Sequence, residues 1–282
     1  IEYSFVLEPD AHGRPEYSSE KVFILNNESD ADKKLVLHVE KGHGEVDFSG
    51  KMIDVQLSDH RISALRTYGN IPQCPEIREL YYHISHWFFC KFSSPAHDNG
   101  NGKRAPVAPG GHRHLNSYGT NIQNVLDYIR IESPERYEKL KQHIYAKIPS
   151  VGKVKDKLPD EFRRSPNKLF LYLLLLADPR PRPLMCIETP DMELYHDMVD
   201  VLSAEFRDYS LRHPSKQIIF TTHNPYILES LTPEEVWVFK RDSENDTPVL
   251  DINSAGANPV VSEMYKQGVS MGAIWYAGHF DD

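Results

Sequence analysis

Two short apolar runs end on residues whose types could do chemistry. LMCIE (184–188) ends on Glu188, followed by Thr189, and QIIFTTH (217–223) ends on Thr221, Thr222 and His223. A carboxylate at the tip of a buried strand suits Mg²⁺, which takes one or two carboxylates and fills its shell with phosphate oxygens and water. A His at a neighbouring tip can donate a hydrogen bond to a terminal phosphate oxygen or to an attacking water. Both residues also have plainer readings. Glu188 can cap the following helix, a role equally open to Thr189 or Asp191, and a lone His in a turn is usually polar surface. The two tips together point to a site for phosphate and metal.

Those tips must be set side by side. The stretch DMVDVLSAEFRDYSLR between them reads as a helix. A helix joining two strands of this kind makes a right-handed crossover, so the strands are expected to be parallel neighbours. Their tips then share the carboxyl edge, where open α/β sheets bind ligands. From about residue 167 onward the pattern is α/β: a core helix over KLFLYLLLL, the two strands, a short helix at PYILESL, strands EVWVFKR and PVLDI, and a helix near PVVSEMYKQG. Strands alternating with helices imply a parallel sheet.

The upstream part differs. IEYSFVLE, KVFILN, KLVLHVE and MIDVQLS, within residues 1–60, read as an antiparallel meander. PEIRELYYHI reads as a helix with Pro in its first turn, and HWFFCKF as a buried strand or helix end. Two amphipathic helices, broken near ESP with Ser133 as N-cap, follow GTNIQ. The expected division is an antiparallel β part over 1–74, a helical lobe with a long loop over 75–166, and an α/β core over 167–282.

That loop, 93–114, is dense in Gly, Pro and Asn. It carries Lys103, Arg104, His112, Arg113 and His114, with no acid after Asp98. It reads either as a basic segment that engages the phosphate of DNA or of a nucleotide, or as a solvated insertion. Composition narrows the rest. The chain has 282 residues and a net charge of −9, which argues against a surface that is wholly a nucleic-acid footprint. Cys74, Cys90 and Cys186 form no CxxC pair, and no apolar run is long enough to span a membrane, so a reducing cytoplasm is expected. His83, His86, His112 and His114 lack the Cys or carboxylate partners of a tetrahedral metal set. There is no GxSxG of a hydrolase elbow.

LLLLADPRPRPLMCIETPDMELYHDMVDVLSAEFRDYS and QIIFTTHNPYILESL together resemble the C-terminal half of an ABC-type ATPase head, closest to the RecF/SMC-like group of DNA repair and anti-phage defence. There one strand ends in IEEPE and the next in TTHSP. SMGAIWYAGHF is similar to the family's ending, and LNSYGTNIQNVLDYIRIESPERYEKLKQHIYAKIPSV to its helical lobe. The resemblance implies ATP and Mg²⁺ as cofactors, with Glu188 on the metal and His223 and Thr222 at the phosphates. It also implies a homodimer or higher oligomer around the nucleotides, and a partner effector such as a nuclease.

The departures from the family are as definite. No GxxxxGK[ST] phosphate loop is present, and NGNGKR has neither the preceding strand nor the following Ser or Thr. In the family that loop lies upstream, so the chain, which starts without Met in a strand pattern, reads as a fragment. The family's catalytic Glu is replaced by Thr189. RRSPNK stands where the signature SDGT is expected, leaving Arg163, Arg164 and Ser165 as phosphate contacts without the Gly. Two functions follow: an ATP-binding subunit that controls an effector, or a non-hydrolysing scaffold that holds a partner protein.

Overall fold

Apolar–polar alternation in the first quarter of the chain makes a sheet with one buried face. The computed structural model describes residues 1–25, 33–92, 113–148, 168–242 and 249–280. Strands β1 (Glu2–Pro9), β2 (Pro15–Leu25), β3 (Lys33–Glu40), β4 (His43–Phe48) and β5 (Lys51–Gln56) pair antiparallel in chain order, as the meander reading expects. Val22, Leu37, Val39 and Val46 form its core with Leu65 and Ile77. Glu20 is buried on β2. It accepts from the hydroxyls of Tyr3 and Ser63, both at 2.8 Å, and from the Ala64 amide at 2.5 Å. It thereby closes the N-terminus of α1 (Ala64–Tyr68), whose first amides have no partner within the helix.

Helix α2 (Pro75–Ser85) has Pro75 in its first turn and buries Ile77 in the same core. It therefore belongs with the meander, although the sequence reading assigned it to a helical lobe starting at residue 75. The chain divides into the compact units Ile1–Trp87 and Phe88–Asp282.

In the second unit β6 (Phe88–Cys90), β7 (Leu184–Glu188) and β8 (Gln217–Thr221) form a parallel sheet in the order β6-β7-β8. Phe88, Cys90, Met185 and Ile187 turn inward. Against them lies α5 (Lys168–Leu176), buried at every position, as the apolar run that follows Lys168 requires. The crossover from β7 to β8 is α6 (His196–Arg212), which buries Val199, Leu202, Phe206 and Tyr209 at helical spacing. Helices α3 (Ile122–Glu132) and α4 (Pro134–Lys147) add Val125, Leu126, Ile129, Leu140 and Ile144 to this core. Ser133 is the N-cap of α4 by position, without a side-chain capping bond.

Strands β9 (Trp237–Asp242) and β10 (Val249–Ser254) do not extend the parallel sheet. They pair antiparallel with each other as a separate two-stranded sheet. Helices α7 (Pro259–Lys266) and α8 (Met271–Tyr276) close a smaller core around Ile227, Val261, Met271 and Ile274. The described residues are thus mixed α/β with two antiparallel sheets and one parallel sheet, consistent with an α/β ATPase-like fold. Among the described residues no helix is long and apolar enough to cross a membrane.

Candidate functional site

The parallel register decides what meets at the carboxyl edge. Leu184 pairs with Gln217 and Glu188 with Thr221, the last residues of β7 and β8. Both side chains are exposed, and His223, also exposed, follows two residues beyond the end of β8. The third tip supplies a residue that the sequence reading passed over. Lys91 follows β6, and its Nζ lies 2.5 Å from Glu188 Oε1. The sequence does carry a signal for it, because Lys91 ends an apolar run just as Glu188 does. With only three residues in β6, that run is too short to show a strand period. An open cleft of ≈ 460 Å³ is lined here by Phe89, Lys91, Ser117, Tyr118, Glu188 and Thr221 among others.

The loop that leaves β7 is fixed from two sides. The Thr189 amide donates to Thr221 Oγ1 at 3.1 Å. The buried Lys168 ammonium, in the first turn of α5, donates to the carbonyls of Thr189 (3.1 Å) and Met192 (2.9 Å). Burial lowers the Lys168 pKa, against the opposing pull of Glu193 and Asp191. Thr189 and Glu193 hold φ values of 42° and 67°, left-handed conformations unfavourable to side chains with a Cβ. The buried Asp191 Oδ1 and Tyr172 hydroxyl have no hydrogen-bond partner among the described residues.

The turn beyond β8 has its own order. Thr222 Oγ1 accepts from the Asn224 amide at 2.9 Å, so this hydroxyl serves the turn. Asn224 caps the 3₁₀ turn Pro225–Leu228 through the Tyr226 amide at 3.0 Å. Helix α8 lies close against this turn. A Cβ on Gly272 would sit 2.5 Å from the Pro225 carbonyl oxygen, so the contact needs a residue without one.

Other expected contacts are not gathered here. Ser165, Arg164 and Arg163 lie outside the described residues, as do Lys103, Arg104 and His112 of the basic loop. Of that loop, Arg113 stacks over the Tyr128 ring at 5.7 Å, and His114 Nδ1 lies 2.5 Å from Asp178 Oδ2. A larger hollow of ≈ 660 Å³ lies apart from the edge, lined by Tyr128, Leu140, His143 and Glu205 among others. There Glu205 already pairs with His143 (2.9 Å) and Lys147 (3.0 Å). Burial pushes the Cys90 thiol up to about 12, which removes it as a nucleophile near neutral pH.

Among the described residues no group of three or more His, Cys, Asp and Glu could hold a metal. A cage built wholly by the described residues is therefore not what the edge offers. Mg²⁺ does not need one, since a single exposed carboxylate with phosphate oxygens and water suffices. The donor set at Glu188 fits that mode, and Lys91 already rests there as a cation.

Residues 131–229 match the family model described as "AAA domain, putative AbiEii toxin, Type IV TA system". The match covers about a third of the chain and includes Glu188, Thr189, Lys168 and His223, but not Lys91. It supports an AAA-like ATPase family. No curated protein and no solved structure matches the chain.

Proposed function

We propose that this chain is a nucleotide-binding subunit of an ABC-type, RecF/SMC-like ATPase that works in a toxin–antitoxin, abortive-infection or other anti-phage complex. One observation carries the reading: β7 and β8 are parallel neighbours in a register that pairs Glu188 with Thr221, so an acid and His223 share one carboxyl edge. In this reading Glu188 holds Mg²⁺, and His223 donates to a terminal phosphate oxygen or orients water. Arg164 and Ser165 reach phosphate from the segment before α5. A divalent cation bound at Glu188 would neutralise charge on the phosphate oxygens. The subunit dimerises or forms a higher oligomer around nucleotide and passes its state to an effector such as a nuclease. The matched family supports the defence setting. DNA contact through the basic segment belongs to the same proposal.

The second reading, a non-hydrolysing scaffold, is favoured by Thr189. A threonine hydroxyl cannot take a proton from water near neutral pH as a carboxylate can. Titration calorimetry with Mg-ATP, together with phosphate release, tests both readings. Glu188→Gln and His223→Ala are each expected to weaken Mg-ATP binding about tenfold, the scale of one hydrogen bond to a charged group. Phosphate release should be very slow, and Thr189→Glu should raise it by about 10²–10⁴ if only the base is lacking. Unchanged Mg-ATP affinity in both single variants would remove the nucleotide reading. A Thr189→Glu chain that binds nucleotide but stays inert would leave the scaffold.

A further inference from the structure

We infer that Lys91 is a tethered cation occupying the place of a divalent metal on Glu188, and that phosphate draws it away. This rests on the metal reading of Glu188 given above. Cys90 pairs with Ile187 in the parallel sheet, so the next residues on the two strands, Lys91 and Glu188, stand side by side at the edge. The main chain of Lys91 is fixed, its amide donating to the Ser117 carbonyl at 3.2 Å. Its ammonium is not fixed in the same way. The Lys91 and Glu188 side chains are 54% and 55% exposed, and among the described residues Glu188 is the one acid that Lys91 pairs with.

An exposed ion pair of this kind is weak, because water screens it and two side chains must be ordered to hold it. It is still strong enough to compete with a metal held by one carboxylate. Lysine suits the role, being a compact charge on a flexible stem. With the edge empty, Lys91 neutralises Glu188. When a phosphate chain arrives, its oxygens offer Lys91 a denser negative charge, and Glu188 is freed for the metal that comes with the phosphate. The site thereby takes metal together with phosphate more readily than metal alone. Lys91 is thus a phosphate-binding residue that also governs when Glu188 is open to metal.

Two titrations on the whole chain test this, since they move in opposite directions. In the first, Mn²⁺ binding is followed by electron paramagnetic resonance without nucleotide. Lys91→Met should bind Mn²⁺ about two- to fivefold tighter than wild type, the scale of an exposed ion pair, and Glu188→Gln should lose the site. In the second, inorganic tripolyphosphate is titrated with metal removed. Lys91→Met should bind it about tenfold more weakly, while Lys91→Arg keeps the charge and stays near wild type. Wild-type Mn²⁺ affinity in Lys91→Met, or tripolyphosphate binding that ignores the charge at position 91, overturns the inference. If Glu188→Gln loses Mn²⁺ and Lys91→Met matches wild type, the inference alone falls. If Glu188→Gln keeps wild-type Mn²⁺ affinity, the metal reading of Glu188 falls as well.

Discussion

Lys168 begins α5, a helix buried at all its positions, and carries the one charged group in it. Its ammonium holds the carbonyls of Thr189 and Met192, one turn of chain after the candidate metal carboxylate. Burial is the largest cause of its shift and lowers its pKa from the ordinary 10.5. The folded protein therefore binds fewer protons at this site than the unfolded chain just below pH 10.5, so folding stability gains from rising pH in that window. The raised pKa values of Tyr172 and Tyr209 act with the opposite sign above pH 10, where the unfolded phenols ionise first. Lys168→Met should remove only the rising component, which appears in the wild-type minus variant difference of urea midpoints. The same variant frees two carbonyls, so the amides of Met192 and Leu194 should exchange hydrogen faster than in wild type. An identical pH slope in both proteins, with unaltered exchange, would show that Lys168 does not hold this loop.

At the scale of elements, α8 bears on the candidate site without touching it. Gly272 lets its backbone lie against the Pro225 carbonyl and the Glu229 side chain, and that turn begins two residues after His223. The Glu229 side chain can swing aside, but a backbone carbonyl cannot. Gly272→Ala should therefore cost about 1–3 kcal/mol, as overpacking does, and move the His223 ring resonances in an NMR spectrum. A variant as stable as wild type, with His223 unmoved, would separate α8 from the site.

The legibility of these elements differs for physical reasons. β7 and β8 could be read because each is a full apolar run with a polar tip, and the long α6 between them leaves only a crossover. β6 could not be read as a site strand, because three residues carry no period, and so Lys91 went unnoticed. β9 and β10 were legible as strands but not as a separate antiparallel pair, since apolar pattern gives a strand and not its partner. For the same reason the apolar pattern of α2 gives a helix but not the core that Ile77 joins. The close approach at Gly272 exists only in three dimensions, although the residue stands within the stretch that resembles the family's ending.

Over the whole molecule, the apolar clusters follow the two compact units. One core gathers Val22, Leu37, Val46, Leu65 and Ile77 within Ile1–Trp87. The two others, around α5 and around Met271 and Ile274, lie within Phe88–Asp282. Lys91, Lys168, Glu188, Thr221 and His223 all belong to the second unit. Each unit has the separate core that independent folding requires. Residues 86–282 produced alone should therefore fold and bind Mn²⁺ through Glu188 within about twofold of the whole chain, since independent parts couple by only a few tenths of a kcal/mol. Urea unfolding of the whole chain should resolve two transitions, one of which the shorter chain reproduces. A single transition for the whole chain, with no folded state for residues 86–282, would mean that the antiparallel unit is needed to build the edge where Glu188 and His223 stand.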